Sequence, residues 1–338
     1  MLRIECVRNE NVSHICYNAC LKLLAVSDLR ASDVKCLVLL LCFVLFPGIA
    51  SAQPAIGTAQ RPLRVVLIPA DGGTEDGTKA DYQPIFSAVS RSTGLRFDIR
   101  VGQSYGAVVE AMCGGAADIA FVGPVTYVQV SQRHCADLLA VGVKNGESIY
   151  YAGIFTKKDA PIRALKDLKG KRVAFGDVNS TSSFVFPMAM IMDAGLDPVR
   201  DLAAIRLTGS HANSLAGLVQ GQVDASAMSF DSFDKAIEQK AVDPTTIRVV
   251  ARSLPIPYPP IIMNARLSPA LKAELKKAFA VVHKGQGVTP DMIRGYGGEK
   301  LDRYDTAFPT AKFNIAAGKM ARLTPQLQSE ILGKASQR

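Results

Sequence analysis

Apolar and polar positions change period repeatedly along the chain. Leu63-Arg64-Val65-Val66-Leu67-Ile68 is short and largely apolar, which predicts a buried strand. A loop through Gly72, Gly73 and Gly77 follows, and then an amphipathic helix from about Tyr82 to Ser92, closed by Gly94. Arg96 to Val101 predicts a second strand, Tyr105 to Gly114 a second helix, Asp118 to Val122 a third strand, and Gly123-Pro124 the start of a third helix. Strand and helix in turn at this spacing predict parallel βαβ units with right-handed crossovers. After strands near Leu138–Val143 and Ile149–Phe155 the pattern begins again. The strand Lys171-Arg172-Val173-Ala174-Phe175 leads into a loop of small polar residues and a helix ending near Ala194. A strand at Ala204–Leu207 precedes a helix from Thr208-Gly209-Ser210-His211, and Val223–Met228 and Arg248–Ala251 read as further strands.

The stretches Ala107–Val125 and Leu215–Asp231 share one plan: helix, glycine, a short gap, aspartate, a small apolar strand, then a polar element at the strand's carboxyl end. Two lobes of like construction would present their loops to a common cleft. The run Leu254-Pro255-Ile256-Pro257-Tyr258-Pro259-Pro260-Ile261-Ile262 is too rich in proline for a central strand and is expected to be an extended crossing back to the first lobe. With Ile149–Phe155 it gives two hinge crossings. The expected division is residues 62–150 with 257–338 in one lobe and 151–256 in the other. Tyr296, Tyr304 and Phe308, in the largely helical remainder, read as packing residues.

The amino-terminal residues change the picture of where the fold starts. Cys36–Ile49 is almost unbroken apolar sequence, preceded by Lys35 and followed by Ala50-Ser51-Ala52, a small-x-small processing pattern. Residues 35–52 are therefore expected to be a signal peptide cleaved after Ala52, and residues 1–34 a start-site extension. The apolar core is shorter than the roughly 20 residues a bilayer span requires, so the mature chain is expected to have no integral membrane span. Cleavage removes Cys6, Cys16, Cys20, Cys36 and Cys42 and leaves Cys113 and Cys135, both at the bottom ends of first-lobe helices, where a disulfide can form in an oxidising compartment. The formal net charge of +9 is spread along the chain without a basic block, which argues against nucleic acid and suits a small anionic ligand.

The candidate chemistry is that of binding. Neither Ser180 nor Ser182 stands in a nucleophile elbow, His134, His211 and His283 lack metal-ligand spacing, and there is no Walker loop or dinucleotide fingerprint. No enzyme activity, metal or cofactor is expected. Ser180-Thr181-Ser182 opens a helix directly after a strand, where backbone N–H groups and hydroxyls point outward, and such an end binds phosphate-like anions. His211 begins another helix and offers a donor as imidazolium or as a neutral tautomer. Asp231 lies at a strand end, where it suits a ligand with a P–OH donor or a cationic group. Tyr105 and Tyr127 follow the ends of two first-lobe strands and can wall a cleft.

Tyr105-Gly-Ala-Val-Val-Glu-Ala-Met, Asp118-Ile-Ala-Phe-Val-Gly-Pro-Val-Thr-Tyr127, Ser180-Thr181-Ser182 with Pro187, Gly209-Ser210-His211, and Val223-Asp-Ala with Asp231 together resemble the PhnD-like solute-binding proteins of phosphate, phosphite and phosphonate ABC transporters. The resemblance runs from about Leu63 to Ile262. It implies an α/β fold of the type II periplasmic binding kind, two lobes closing on a ligand and delivery to an inner-membrane ABC permease by a mostly monomeric periplasmic receptor. It also implies ligand contacts from Tyr105, Tyr127, Ser180, Thr181, Ser182, His211 and Asp231. Three departures stand out. Asp231 is shorter than the glutamate of aminoethylphosphonate-binding members, the hinge reads Pro257-Tyr258-Pro259-Pro260 without their aspartate, and Ser183 replaces a common glycine. The expected ligand is phosphate, phosphite or a simple alkylphosphonate. The alternatives are a sulfonate or carboxylate ligand, a ligand-sensing receptor, or a periplasmic hydrolase using His211.

Overall fold

The computed structural model describes residues 55–69 and 75–337. The expected start-site extension, signal peptide and cleavage point, and Gly72 and Gly73 of the first loop, lie outside the described residues. Strand β1 (Leu63–Leu67) leads through α1 (Glu75–Thr93) to β2 (Phe97–Val101), and α2 (Tyr105–Gly114), β3 (Ile119–Phe121), α3 (Pro124–Gln132) and β4 (Ala136–Val143) follow. β5 (Ile149–Tyr150) begins the first crossing and β6 (Ala152–Lys157) opens a second sheet. There β7 (Arg172–Phe175), a π-helical turn at Thr181–Val185, α4 (Phe186–Asp193), β8 (Ala204–Leu207), α5 (His211–Val219), β9 (Ala225–Ser229), α6 (Phe230–Glu238) and β10 (Ile247–Arg252) repeat the plan. β11 (Ile256–Pro257) and β12 (Pro260–Asn264) carry the chain back, and α7 (Pro269–Val281), β13 (Arg303–Asp305), α8 (Asn314–Ala321) and α9 (Pro325–Ala335) complete it.

The first sheet has the order β13-β4-β12-β3-β1-β2 and the second β10-β6-β9-β7-β8. Each contains three parallel strands, with the strand that has just left a crossing inserted antiparallel beside the third: β12 pairs with β3 and β4, and β6 with β9 and β10. The two crossings themselves pair as a short antiparallel ribbon, Ile256 with Tyr150 and Pro257 with Ile149. The end of the proline-rich run therefore forms a central strand, contrary to expectation. Pro260 is its first residue, where a missing N–H is tolerated, and Ile261–Asn264 supply the ladder. The strands next to each crossing, β3, β12, β6 and β9, are buried on both faces or nearly so, which is why β3, β6 and β12 read as apolar runs and β9 is made of small residues.

The internal repeat extends to side chains. Arg64 donates from Nε and Nη2 to the Asp118 carboxylate, at 2.8 Å each, and from Nη2 to Gly115 O at 2.8 Å. Arg172 does the same to Asp224, at 3.2 and 2.8 Å, and to Gly221 O at 3.3 Å. In each lobe one arginine ties the first strand, the third strand and the glycine ending the intervening helix. Ser104 and Ser210 cap the equivalent helices, accepting from Ala107 N–H at 3.1 Å and Asn213 N–H at 3.2 Å. Tyr105 and His211 consequently occupy matching first positions of α2 and α5.

Cys113 and Cys135 are joined by a disulfide that links the end of α2 to the segment after α3. The carboxyl-terminal residues depart from the expected division. α9 lies against the second sheet, with Lys334 Nζ donating to Val199 O at 2.6 Å and Arg206 Nη1 donating to Gln337 O at 2.8 Å. Before it, Lys319 and Arg322 both pair with Asp193 of α4, at 3.1 and 2.5 Å. Among the described residues no helix is long and apolar enough to cross a membrane.

Candidate functional site

Five helical segments start at the carboxyl ends of strands where the two sheets approach each other: α2 after β2, α3 after β3, the Thr181 turn after β7, α5 after β8 and α6 after β9. The first N–H groups of a helix lack intrahelical acceptors and carry the positive end of its dipole. Their convergence gathers main-chain donors and positive dipole ends in one place.

The Thr181 turn is built by its own sequence. Ser180 has extended backbone angles and its Oγ accepts from Ser183 N–H at 3.2 Å, so the first turn begins where the three hydroxyl residues predict. Val185 N–H reaches back five residues to Ser180 O at 3.0 Å, the wide π spacing that recurs at functional sites. Pro187 has no N–H for Ser183 O, and that carbonyl instead accepts from Gly176 N–H at 3.2 Å, pinning the turn to the end of β7. A Cβ on Gly176 would stand 2.2 Å from Ser183 Oγ, so a side chain there would force Ser183 to move. Ser183 therefore points behind the turn, and its place in the sequence does not narrow the approach to the helix end.

Across the cleft, Val125 N–H at the start of α3 donates to Thr181 Oγ1 at 2.8 Å. Gly123 leaves the space for this, because a Cβ on it would lie 3.0 Å from the same oxygen. Gln129 Nε2 donates to Asn179 Oδ1 at 2.8 Å, and Tyr105 N–H to Asp177 Oδ2 at 3.3 Å. The loop after β7 is thus gripped by α2 and α3.

His211 is fully buried, and its Nδ1 accepts from Ser229 N–H at 3.0 Å. A nitrogen that accepts carries no hydrogen, so the ring is the neutral Nε2–H tautomer, and burial pushes its pKa down to about 3. Of the two protonation states allowed by the sequence, this leaves the neutral donor. Nε2 lies 3.5 Å from Ser180 Oγ and 3.3 Å from the Tyr296 hydroxyl.

Asp231 is buried in the first turn of α6. Burial first, and then the negative charge of Glu299, to which its carboxyl is hydrogen-bonded, push its pKa well above the ordinary 3.8, while Lys144 opposes the shift. Lys144 Nζ is 2.6 Å from Glu299 Oε2. Its raised pKa favours the protonated form of Asp231, a carboxyl group that can donate.

Ser180, Thr181, Ser182, His211 and Asp231 come together, and Tyr105 stands behind Asp177 at the edge of the cluster. Tyr127 goes elsewhere: its ring packs edge-on against Phe313 at 4.7 Å and its hydroxyl turns along α3 to Ser131. Three contributors were not picked out by the sequence. The Tyr150 hydroxyl, on the hinge ribbon, lies beside the side chains of Ser182 and Thr181. Tyr296, read as packing, brings its hydroxyl to Ser232 Oγ at 3.0 Å and Ser229 Oγ at 3.2 Å. Glu299 follows it closely; the available signal was the glycine-flanked aromatic in Gly295-Tyr296-Gly297-Gly298, a turn that displays its one large side chain. Among the described residues no cluster of His, Cys, Asp and Glu is arranged to hold a metal.

A family model described as the periplasmic substrate-binding protein of a phosphonate ABC transporter matches residues 72–302. The phosphate-import protein PhnD of Mycolicibacterium smegmatis is 29% identical over 246 residues, covering 68% of this chain and 75% of that one. The phosphonates-binding periplasmic protein of Escherichia coli is 25% identical over 223 residues, covering 64% of each. Among solved structures, a binding-protein component of an ABC phosphonate transporter from Pseudomonas aeruginosa superposes with a TM-score of 0.65 at 18% identity, over 81% of this chain and 96% of that one. The two-lobed architecture is that of the type II periplasmic binding proteins.

Proposed function

The chain belongs to the family of periplasmic substrate-binding proteins of phosphonate ABC transporters, and from that premise we propose that its ligand is phosphate, phosphite or a simple alkylphosphonate held between the lobes. The observation that carries this reading is the Ser180-Thr181-Ser182 turn, which faces the start of α3 with the neutral His211 donor beside it. Main-chain N–H groups, hydroxyls and an imidazole N–H form a donor set for the oxygens of a tetrahedral anion, and charge-assisted bonds of this kind are stronger than neutral ones. The name of the mycobacterial relative, a phosphate-import protein, agrees with a site that recognises little beyond the oxyanion. In this reading Tyr105, Ser180, Thr181, Ser182, His211 and Asp231 line the ligand, and Tyr127 supports α3 from behind. The mature protein, after loss of its signal peptide, works mostly as a monomer in the periplasm and passes its ligand to the permease.

A second reading rests on Glu299. It brings beside Asp231 the second carboxylate that the hinge lacks, and with Lys144 already paired to Glu299, a ligand bearing an ammonium group would pair with Asp231. A thermal-melting screen of the mature chain separates the two. A ligand at a hundredfold excess over its Kd stabilises the folded state by about 2.7 kcal/mol, several degrees for a protein of this size. Phosphate, phosphite and methylphosphonate are expected to raise the melting temperature by that amount, and 2-aminoethylphosphonate by less. A larger shift with the aminophosphonate would favour the second reading, and a shift with a sulfonate or carboxylate alone would overturn both.

A further inference from the structure

The loop Arg294–Lys300 enters the site from outside the parallel strands of either sheet, and its geometry is held at several points. Arg294 and Lys300 form a bridge across its base, Gly295 N–H donates to Glu299 O at 2.9 Å, and Arg294 Nη1 donates to Gly298 O at 2.7 Å. The Tyr304 hydroxyl donates to Arg294 O. Gly298 has a left-handed φ of 75°, and a Cβ on it would lie 2.5 Å from Asp81 Oδ1. The residue displayed at the tip is Tyr296. Its N–H donates to the Tyr258 hydroxyl at 2.9 Å, its ring stacks on Phe121 at 6.0 Å, and the edges of Tyr150 and His211 meet it at 6.1 Å.

We infer that Tyr296 is a specificity-determining residue that limits the size of the substituent on phosphorus, an inference resting on the oxyanion reading of this site. His211 has a single Nε2 hydrogen, and the Tyr296 hydroxyl lies 3.3 Å from that nitrogen. An anion that takes the His211 donor must sit against the tyrosine, beside which the Tyr150 ring also packs. The ring cannot yield by changing rotamer alone, because Phe121 backs it and Ser229 and Ser232 hold its hydroxyl. A hydrogen, hydroxyl or methyl group on phosphorus fits beside such a wall, whereas a flat aromatic substituent meets it.

Calorimetric titration of the mature chain with methylphosphonate and phenylphosphonate tests this. The wild type should prefer methylphosphonate by at least a hundredfold. Tyr296→Ala should narrow the preference by tenfold or more, chiefly by gaining affinity for phenylphosphonate, and Tyr296→Phe, which keeps the ring on Phe121 but frees it from Ser229 and Ser232, should narrow it less than the alanine variant does. Tyr296→Leu preserves apolar packing on Phe121 and serves if the alanine variant melts below the assay temperature; it should narrow the preference in the same direction. A preference unchanged in a folded Tyr296→Ala or Tyr296→Leu protein overturns the inference while leaving the oxyanion site standing. A wild type that binds neither phosphate nor methylphosphonate overturns the site itself.

Discussion

Thr181→Val is expected to weaken phosphate and methylphosphonate binding on the order of a hundredfold. Valine keeps the shape of threonine and removes its hydroxyl, so the loss reports hydrogen bonding rather than a cavity. Two groups are left without partners when the lobes are closed. Val125 N–H, which donates to Thr181 Oγ1 at 2.8 Å across the cleft, loses its acceptor, and an oxygen of the anion loses a donor. Leaving a buried polar group unsatisfied costs on the order of 1–3 kcal/mol, more where a charge is involved, and the two losses together reach a hundredfold at 1.4 kcal/mol per decade. Thr181→Ser keeps the oxygen and should lose less than tenfold. Calorimetry on the three proteins checks the prediction, and an unchanged affinity in the valine variant would remove Thr181 from the binding account.

The pH dependence of binding should follow Asp231 and ignore His211. His211 remains neutral down to about pH 3, because burial opposes its charging and Ser229 N–H occupies Nδ1, so no inflection near the ordinary 6.5 is expected. Asp231 behaves in the opposite way to most aspartates. Its pKa in the closed form is raised, so its contribution to that form is fully present below the ordinary 3.8 and is lost as the pH rises through the raised value. Above that value an ionised Asp231 repels the anion. Because the ligand titrates too, the informative quantity is the affinity of the wild type relative to Asp231→Asn at each pH, in which ligand ionisation cancels. The ratio should be near one in mild acid and then fall, approaching roughly tenfold per pH unit once Asp231 ionises. A step near pH 6.5 that disappears in a His211 variant would contradict this assignment.

The features legible in the sequence are those carried by local chemistry. The strand–helix alternation, the repeated helix-Gly-Asp-strand plan and the start of the helix at Thr181 follow from periodicity, caps and Pro187, each decided within a few residues. The repeat was visible in the spacing of Gly115 and Asp118 against Gly221 and Asp224, while the arginines that clamp them came from the first strand of each lobe. What the sequence hid depends on long-range placement. Pro260 disguised a central strand, because a proline is harmful within a ladder and harmless at its first position. Tyr296 and Glu299 reach Ser229 and Asp231 from more than sixty positions downstream, and no local pattern announces such a meeting. Tyr127 read as a cleft wall from its place after β3, yet the apolar ring of Phe313 and the hydroxyl of Ser131 offered it a closer pair of partners.

The most direct test of the anion cradle is a crystal structure of the mature chain grown with inorganic phosphate or methylphosphonate. The expected result is a tetrahedral anion between the lobes, its oxygens within hydrogen-bonding distance of Thr181 Oγ1, the first N–H groups of the Thr181 turn and His211 Nε2. Density for the anion away from the Ser180-Thr181-Ser182 turn, with that turn contacting nothing but protein, would contradict the account.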